Sequence, residues 1–582
     1  MKILGISPGH DTAACLLVDG RLIADAAEER FSRVKHDSHF PVGAIAYCLQ
    51  AGGLASTDLD FIAIGGRFLP VGLERFFGIT PEQAATLAAM RPLEVKARNL
   101  LMKAGPNLLP LDTPRFPLRP DCRFVGVDHH RGHAAAAYFS QASRDPWLVL
   151  TLDGIGDDVA ASVWRAIDDD LEPITQWGRE ASLGWFYGNV TEALGWQHGD
   201  GEGTTMGLAP YGDATLVGDR LDRFAPVFSA GTLTQPHEYG HASFFNDHGN
   251  YHWHFPEAAA IRGVVNDCGA ANVAARAQQI VEEQVLGLVR HFCQQLGLQR
   301  LACGGGLFLN VKLNQRLREE AGLDQLWVFP NPGDAGLAVG AALAAWHDQA
   351  RPGGHLQLEH LSFGPAFSAE TIRQLLDERG LAYCEAADPA EAAAEHLAAN
   401  RIVGWFQGRM EAGPRALGNR CILMSANRAE NKDLLNARVK FRQPFRPFCP
   451  ALLAERKDDY LVDAGDEPFM ITAFAATPEA RQRVPAVVHA DGTLRPQTVR
   501  QESQPLFHAL ISAFAERTGE ALVLSTSFNV RGEPIVCTPK DAFRCFMRTE
   551  MDYLVLQNFV LAKPDQPAPE PGDDWREDFE LD

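Results

Sequence analysis

Residues 2–27 read KILGISPGHDTAACLLVDGRLIADAA. Two apolar runs, KILGIS and AACLLV, flank the polar loop PGHDT. A third, RLIADAA, follows Asp19-Gly20, a pair suited to the left-handed backbone of a two-residue hairpin turn. The spacing predicts three strands that are antiparallel neighbours in one sheet. Residues 147–177 repeat the plan as WLVLTL, the polar loop DGIGDD, VAASVWRAI, an acidic turn and LEPITQW, which amounts to a cryptic duplication. Between and after the two copies, helical periodicity alternates with short apolar runs: a helix over 42–52, strands FIAIGG and RFVGV, a helix from about Gly132, and a long amphipathic helix over 274–298. Alternation of this kind specifies an α/β protein.

A chain of 582 residues that is 46% hydrophobic can build more than one core. Periodicity fails over 351–368, RPGGHLQLEHLSFGPAFS, where Pro and Gly gather and mark a boundary. The expected organisation is a module over 1–355, a linker over 356–369, a second module over 370–564, and an acidic, Pro-rich tail over 565–582. The formal net charge of −21, without any Lys/Arg-dense run, opposes a nucleic-acid partner. Eleven cysteines include no CxxC pair, and MKILGISPGH lacks the basic and long apolar parts of a signal peptide, so a reduced, cytoplasmic protein is expected. The longest near-apolar stretch, 335–346, falls short of the roughly 20 residues a membrane span needs, so none is expected.

A three-strand meander with a polar first loop, followed by helices and strands and then repeated, resembles the actin, sugar kinase and Hsp70 superfold. That resemblance implies ATP in the cleft between two duplicated lobes. Within this frame several polar groups stand out. His129 and His133 lie four apart at the start of a helix and share one face, a spacing that suits two imidazole ligands of a metal; a surface histidine cluster is the other reading. Asp334, in FPNPGDAGLAVGAAL, precedes a small-residue helix and is either an N-cap or a further ligand. Gly304, Gly305 and Gly306, with Asn310 beyond them, join a strand to a helix, and Asp153, Gly154 and Gly156 occupy DGIGDD. Both segments are read as ATP phosphate loops, with tight turns as the alternative. His10 and Asp11 fill the matching loop of the first repeat and are candidate groups for activating an acceptor; Lys35 and His36 follow in EERFSRVKHDSHFP.

The second module carries GRMEAGPRALGNRCILMSANRAENKDLLNARVKFRQPFRPFCP over 408–450. Here Arg409, Arg415, Arg420, Lys440, Arg442 and Arg446 are interleaved with Gly, Pro and aromatic residues rather than laid along one helical face. Cations on stiff turns suit a small phosphorylated anion, the alternative being a basic surface patch. Arg495 and Arg500, then Asn529 and Glu533 after the strand ALVLST, add another cation pair and a polar turn.

In their order, GISPGHDTAACLLVDGRLIADAAEERFSRVKH, VDHHRGHAAAAYF, TLDGIGDD, MGLAPYG, CGGGLFLNVKLN, FPNPGDAGLAVGAA, GRMEAGPRALGNR, VKFRQPFRPFCP and TSFNVRGEPIVCTP resemble the NodU/CmcH-type O-carbamoyltransferase family over nearly the whole chain. The resemblance implies a duplicated actin/Hsp70-like, Kae1-like domain followed by a YrdC-like α/β domain. It implies that carbamoyl phosphate, held by Arg415, Arg420, Lys440, Arg446, Arg500 and Asn529, yields carbamate in the second domain. ATP and carbamate then give carbamoyl adenylate in the first, and an acceptor hydroxyl attacks it. A divalent metal, Fe2+ by resemblance, is implied at His129, His133 and Asp334. The chain departs from relatives at Thr204, where Lys is common, and at Ala412, where an aromatic residue is common.

A tRNA threonylcarbamoyladenosine-type enzyme shares both folds but fits the acidic charge poorly. A hydrogenase-maturation carbamoyltransferase would carry paired CxxC motifs, and a sugar kinase leaves 370–564 unexplained. A non-catalytic actin-like nucleotide sensor needs neither the histidine pair nor the cation cluster. The expected partner is a small-molecule or sugar hydroxyl acceptor, its identity set by loops such as 68–120 and 213–265, and a homodimer is expected by default.

Overall fold

Strands β1 (Lys2–Ser7), β2 (Ala13–Val18) and β3 (Arg21–Ala27) form where the apolar runs place them, and β1–β2 and β2–β3 pair antiparallel. Asp19 (φ 48) and Gly20 (φ 77) make the hairpin turn. The computed structural model describes residues 1–67, 76–89, 116–234, 242–245, 251–254 and 257–567. The acceptor loops expected over 68–120 and 213–265 lie partly outside those residues, as does most of the tail. The mixed α/β chain divides into two units, Met1–Leu358 and Glu359–Asp582.

Unit 1 contains the same sheet twice. β4 (Phe61–Gly65) and β5 (Arg123–Val127) complete the first, in the order β3-β2-β1-β4-β5. The second uses β6 (Trp147–Gly156), β7 (Val159–Ile167), β8 (Asp170–Gly178), β9 (Arg300–Gly304) and β10 (Gln325–Val328), in the order β8-β7-β6-β9-β10. In both sheets the central strand is antiparallel to its hairpin partner and parallel to the next strand, which is parallel to the last. One expectation is corrected here. DGIGDD is not a loop like PGHDT, because β6 continues through Gly156 with an irregular register between Leu152 and Gly156, and only Asp157 (φ 55) and Asp158 (φ 67) turn.

Small residues let two helices approach the sheet and each other. α1 (His129–Phe139) and α2 (Leu337–Ala350) cross where a Cβ on Gly340 would fall 2.0 Å from Gly132 O, and α2 touches β1 where a Cβ on Gly5 would fall 2.1 Å from Ala338 O. The long helix expected over 274–298 is Ala270–Leu296, and it ends at Gly297 in the left-handed conformation. No helix among the described residues is long and apolar enough to cross a membrane.

Opposite Cys15 in the β2–β3 pair lies a buried carboxyl, Asp25, which burial raises to about 7. Its folded-state pKa exceeds the unfolded value, so its contribution to stability is fully present below about 4 and is lost as pH rises towards 7. Asp25→Asn removes this dependence. The melting temperature of the variant relative to wild type should therefore climb between pH 4 and pH 7, with a ceiling of about 4 kcal/mol in differential stability. Calorimetry across that range checks it; parallel curves would show that Asp25 ionises at no cost.

Unit 2 is built on an eight-stranded sheet in the order β11-β18-β17-β12-β13-β16-β14-β15, from β11 (Cys384–Glu385), β12 (Val403–Phe406), β13 (Arg420–Met424), β14 (Cys449–Leu453), β15 (Gln497–Val499), β16 (Leu522–Ser527), β17 (Tyr553–Leu556) and β18 (Phe559–Ala562). The segment 356–369 is hydrogen-bonded rather than loose: Leu356 and Leu358 donate to Phe139 O and Ser140 O, and Phe363 O and Gly364 O accept from Arg409.

Candidate active site

α1 begins at His129, and one turn later presents His133 on the same face, their Nε2 atoms 3.1 Å apart. The irregular end of β6 turns Asp153 Oδ2 to 3.1 Å from His129 Nε2 and 3.8 Å from His133 Nε2. Asp334, in the turn that opens α2, places Oδ1 3.5 Å from His129 Nε2 and 3.7 Å from His133 Nε2. Asp334 therefore points at the imidazoles rather than capping a helix. Metal–ligand bonds of about 2.0–2.2 Å in a tetrahedron require donors about 3.3–3.6 Å apart, so His129, His133, Asp153 and Asp334 fit a divalent cation with little movement. Two carboxylates and two imidazoles are also the donor set that borderline first-row metals accept.

The surroundings fix this set. Asp157 Oδ2 accepts from the His129 backbone N–H at 2.8 Å, and Asp153 Oδ1 accepts from Gly306 N at 3.1 Å. Burial opposes charge on His129, yet Asp334 and Asp153 outweigh it and raise the imidazole to about 9. Burial likewise opposes charge on Asp153, and the histidines hold its carboxyl well below the ordinary range. Both shifts describe a pocket that attracts a cation. His130 belongs to the core instead, bonded to Thr151 Oγ1 (2.6 Å) and Val159 O (2.9 Å), with burial pushing it down to about 3.

The glycine segments read as phosphate loops border this cluster. A Cβ on Gly156 would lie 2.1 Å from the His129 ring, and Gly305 (φ 99) has Leu152 O 2.2 Å from where its Cβ would be. Gly154 faces the Trp185 ring, and Gly304 and Gly306 pack on His133 and Asp153. Asn310 caps Val311–Glu320 by accepting from Leu313 N, and pairs with Gln278. Asp153, expected at a phosphate, thus stands with the imidazoles. Thr204 is buried in the helix Glu202–Leu208.

His10 and Asp11 lie in the loop after β1, with His36 joined to them: Asp11 Oδ2 is 3.0 Å from His10 Nδ1 and Oδ1 is 2.7 Å from His36 Nδ1. Lys35 Nζ donates to Asp200 at 2.6 Å.

In unit 2 the starts of β13 and β14 and the end of β16 meet at one end of the sheet, since Cys421 pairs with Ser527 and Cys449 with Ser525. Lys440 Nζ reaches this end, donating to Ser527 O (2.8 Å), Asn529 O (2.9 Å) and Asn529 Oδ1 (2.6 Å), and burial lowers it to about 7. Arg446 lies in the field of Lys440. Arg415 is lowered to about 9 by burial and then by Arg495, whose Nε and Nη2 approach Cys449 Sγ at 2.9 and 2.6 Å. Asn529 Nδ2 donates to Glu533 O, so Asn529 orients Lys440.

Two expected anion ligands are placed otherwise. The Arg420 guanidinium is fully buried, donates to the carbonyls of Gln407, Asn419, Pro365 and Gly408, and stacks on Phe406 at 3.5 Å. The donors of both Nη atoms are spent on backbone, which makes it structural. Arg500 pairs with Asp466 and is 58% exposed. Arg409 and Arg442 are also tied to backbone carbonyls. The residue missed from sequence is Glu411. Its buried Oε1 accepts from Leu417, Asn419 and Arg420 N–H groups and so shapes the loop that carries Arg415, while Gln497 and Gln504 hold Leu417 O.

Residues 2–343 match the family described as Carbamoyltransferase N-terminus, and 394–563 the one described as Carbamoyltransferase C-terminus. An uncharacterised protein of Synechocystis sp. is 35% identical over all of both chains. Nodulation protein NolNO of Sinorhizobium fredii is 33% identical over 95% of this chain and 79% of its own. A full-length HypF crystal structure in the phosphate- and nucleotide-bound form aligns with a TM-score of 0.29 and 14% identity over 59% of this chain and 46% of that one, a likeness too low to carry an argument.

Proposed function

The chain belongs to the carbamoyltransferase family and is a transferase, and from that premise we propose that it moves a carbamoyl group from carbamoyl phosphate to a hydroxyl of a small molecule or sugar, using ATP. The observation that carries the proposal is the convergence of His129, His133, Asp153 and Asp334 beside the glycine-bordered ends of β6 and β9, in a unit built from one sheet repeated. The repeat supports the reading of unit 1 as an actin/Hsp70-like, Kae1-like ATP domain, and unit 2 is read as YrdC-like.

In unit 2, Arg415, Arg446 and Arg495 hold the phosphate of carbamoyl phosphate, Lys440, tied to Ser527 and Asn529, adds its charge from behind them, and water releases phosphate and carbamate. Guanidinium forks and an ammonium that have little solvent competition suit a compact dianion. Arg420 and Arg500 are left out of this set for the reasons above. In unit 1 a carbamate oxygen attacks the α-phosphorus of ATP, pyrophosphate leaves, and the acceptor oxygen then attacks the carbamoyl carbon as AMP departs. His129, His133, Asp153 and Asp334 would hold a divalent metal, Fe2+ by resemblance; bound there, it offsets phosphate charge and polarises the mixed anhydride. The segment 304–306, whose Gly305 and Gly306 N–H groups are given to Pro332 O and Asp153 Oδ1, lets the phosphates come close to the backbone, and His10 with Asp11 takes the acceptor proton. Enclosure matters because carbamate and its adenylate are both lost to water.

Mass spectrometry of metal-loaded protein given ATP and carbamoyl phosphate without acceptor tests the scheme. Carbamoyl adenylate and pyrophosphate are the expected products, and ATP bound but never cleaved would favour a nucleotide sensor. Glu411→Gln tests the anion site separately. It keeps the shape of the loop but weakens three charge-assisted hydrogen bonds, so the KM for carbamoyl phosphate in a phosphate-release assay should rise about tenfold with little change in kcat. An unchanged KM would detach Glu411 and its loop from the anion.

A further inference from the structure

Outside the candidate active site, three side chains able to ligate a metal meet where α1 and α2 end. The two helices run the same way: Gly132 meets Gly340 and, equally far along each helix, the Phe139 ring stacks on His347 with centroids 3.7 Å apart. His129 and Asp334 therefore stand at the start of the pair and His347 at its end, about 20 Å along α2 from Asp334. Asp169 comes from the acidic turn between β7 and β8, beside Asp168 (φ 55) in left-handed backbone. His355 lies in the segment that follows α2; Arg351 (φ 45) ends the helix, and the chain returns so that Leu356 N donates to Phe139 O. One donor atom from each of Asp169, His347 and His355 lies within 4.8 Å of the other two.

Hydrogen bonds account for only part of this arrangement. His347 is 1% exposed; its Nδ1 is 2.9 Å from Asp169 Oδ1, and its Nε2 is buried with no hydrogen-bond partner among the described residues. Leaving a buried imidazole nitrogen unpaired is costly. Burial pushes His347 down to about 4 against the pull of Asp169, and it pushes His355 down as well. Both rings are therefore neutral near pH 7, the form that binds metals, and each has a lone pair to give. His355 Nε2 faces Asp168 O at 2.9 Å, while Nδ1 faces Gln141 O at 3.2 Å and Gln141 Nε2 at 3.5 Å. A neutral ring carries one N–H, so it serves only one of the two carbonyls. Cis donors of an octahedral ion with bonds of about 2.1 Å stand about 3.0 Å apart, a spacing that Asp169 and His347 already have. The shared C-terminal end of the helix pair also favours positive charge.

We propose that Asp169, His347 and His355 form a second divalent-metal site, of the zinc and cobalt class, which fastens the β7–β8 turn and the segment after α2 to the end of the helix pair. Two imidazoles and one carboxylate suit borderline first-row ions better than magnesium or calcium, and they leave the remaining positions to water. Groups that do not touch the ion hold the ligands in place. Arg144 Nη2 donates to the second carboxylate oxygen, Asp169 Oδ2, at 3.2 Å, a backbone carbonyl keeps one nitrogen of His355, and the Phe139 and Tyr138 rings pack on His347 and His355. The site shares no residue with His129, His133, Asp153 and Asp334, so it stands apart from the carbamoyl-transfer reading. Its role is structural.

Titration of the full, metal-stripped chain with cobalt(II), followed by visible absorption and counted by elemental analysis, tests the site. His355→Gln and Asp169→Asn should each lose one equivalent of cobalt relative to wild type, or bind it at least about tenfold more weakly, and should keep the equivalent that Asp153→Asn loses. His355 is only part-buried, so its variant keeps the fold, which circular dichroism checks. Zinc should raise the melting temperature of Asp153→Asn protein but not that of a chain carrying both Asp153→Asn and His355→Gln. Cobalt binding that is the same in folded wild type, His355→Gln and Asp169→Asn would overturn the proposal. So would a chain whose whole metal content disappears with Asp153→Asn, because the second site would then hold nothing.

Discussion

Asp153→Asn should yield a folded chain that has lost its metal and, with it, adenylate formation. The amide keeps the size of the side chain and can still accept from Gly306 N through Oδ1, so the junction between β6 and the segment 304–306 stays intact. What changes is the group facing His129 at 3.1 Å and His133 at 3.8 Å, which becomes a neutral donor. Loss of a group that only hydrogen-bonds to a ligand costs about 10–100-fold in metal affinity, so loss of a charged donor should cost at least about 100-fold. Several kcal/mol of charge stabilisation go with the metal, and pyrophosphate formation should drop about 1,000-fold. Elemental analysis after dialysis and an ATP-dependent pyrophosphate assay read the two effects. Phosphate release from carbamoyl phosphate, assigned to unit 2, should change less than about twofold. Metal retained at the wild-type level would remove Asp153 from the ligand set, and equal loss of both activities in folded protein would contradict separate sites.

That Asp153 is the informative position could not be read from the sequence, and the reason is physical. Its neighbours in DGIGDD are turn-forming residues, so the stretch reads as a loop. In the structure, Gly154 and Gly156 are small because the Trp185 and His129 rings press on them, and β6 runs on with a disturbed register that turns Asp153 inward. Local patterns carry what is local: β1, β2 and β3 follow from alternation and Asp19-Gly20, and the His129–His133 pair follows from the helical repeat. Asp334 was legible only through the company of those histidines. Arg420 shows the opposite limit. Its sequence setting matches that of Arg415, but the carbonyl of Pro365, 55 residues away, helps to cage one and not the other. Asp200 and His36 meet across 164 positions, and no periodicity announces that contact. The family resemblance supplied the chemistry of these segments, while the division of labour among the cations needed the sheet end where β13, β14 and β16 meet.

Lys440→Met should weaken carbamoyl phosphate binding about 100-fold and remove its pH dependence between about 7 and 8, below the range to which burial lowers Arg415. The wild-type ammonium is buried, with burial first and Arg442 next lowering it to about 7, so near neutral pH about half the molecules carry an uncharged Lys440. A phosphate dianion supplies the missing counter-charge and restores the proton. Binding therefore takes up protons, and affinity should fall as pH rises from 7 to 9, a range in which the phosphate group itself is already dianionic. The direction follows from linkage: the free protein loses its proton at the lower pH, so the bound form is favoured by acid. Calorimetry in two buffers of different ionisation enthalpy reads the uptake directly, about half a proton at pH 7 in wild type and near zero in the variant. The affinity loss comes from one buried charge beside a pocket where Arg415, Arg446 and Arg495 remain. Proton uptake that persists in Lys440→Met would move the titrating group elsewhere, and wild-type affinity in the variant would place the anion away from Ser527 and Asn529, where Lys440 is tied.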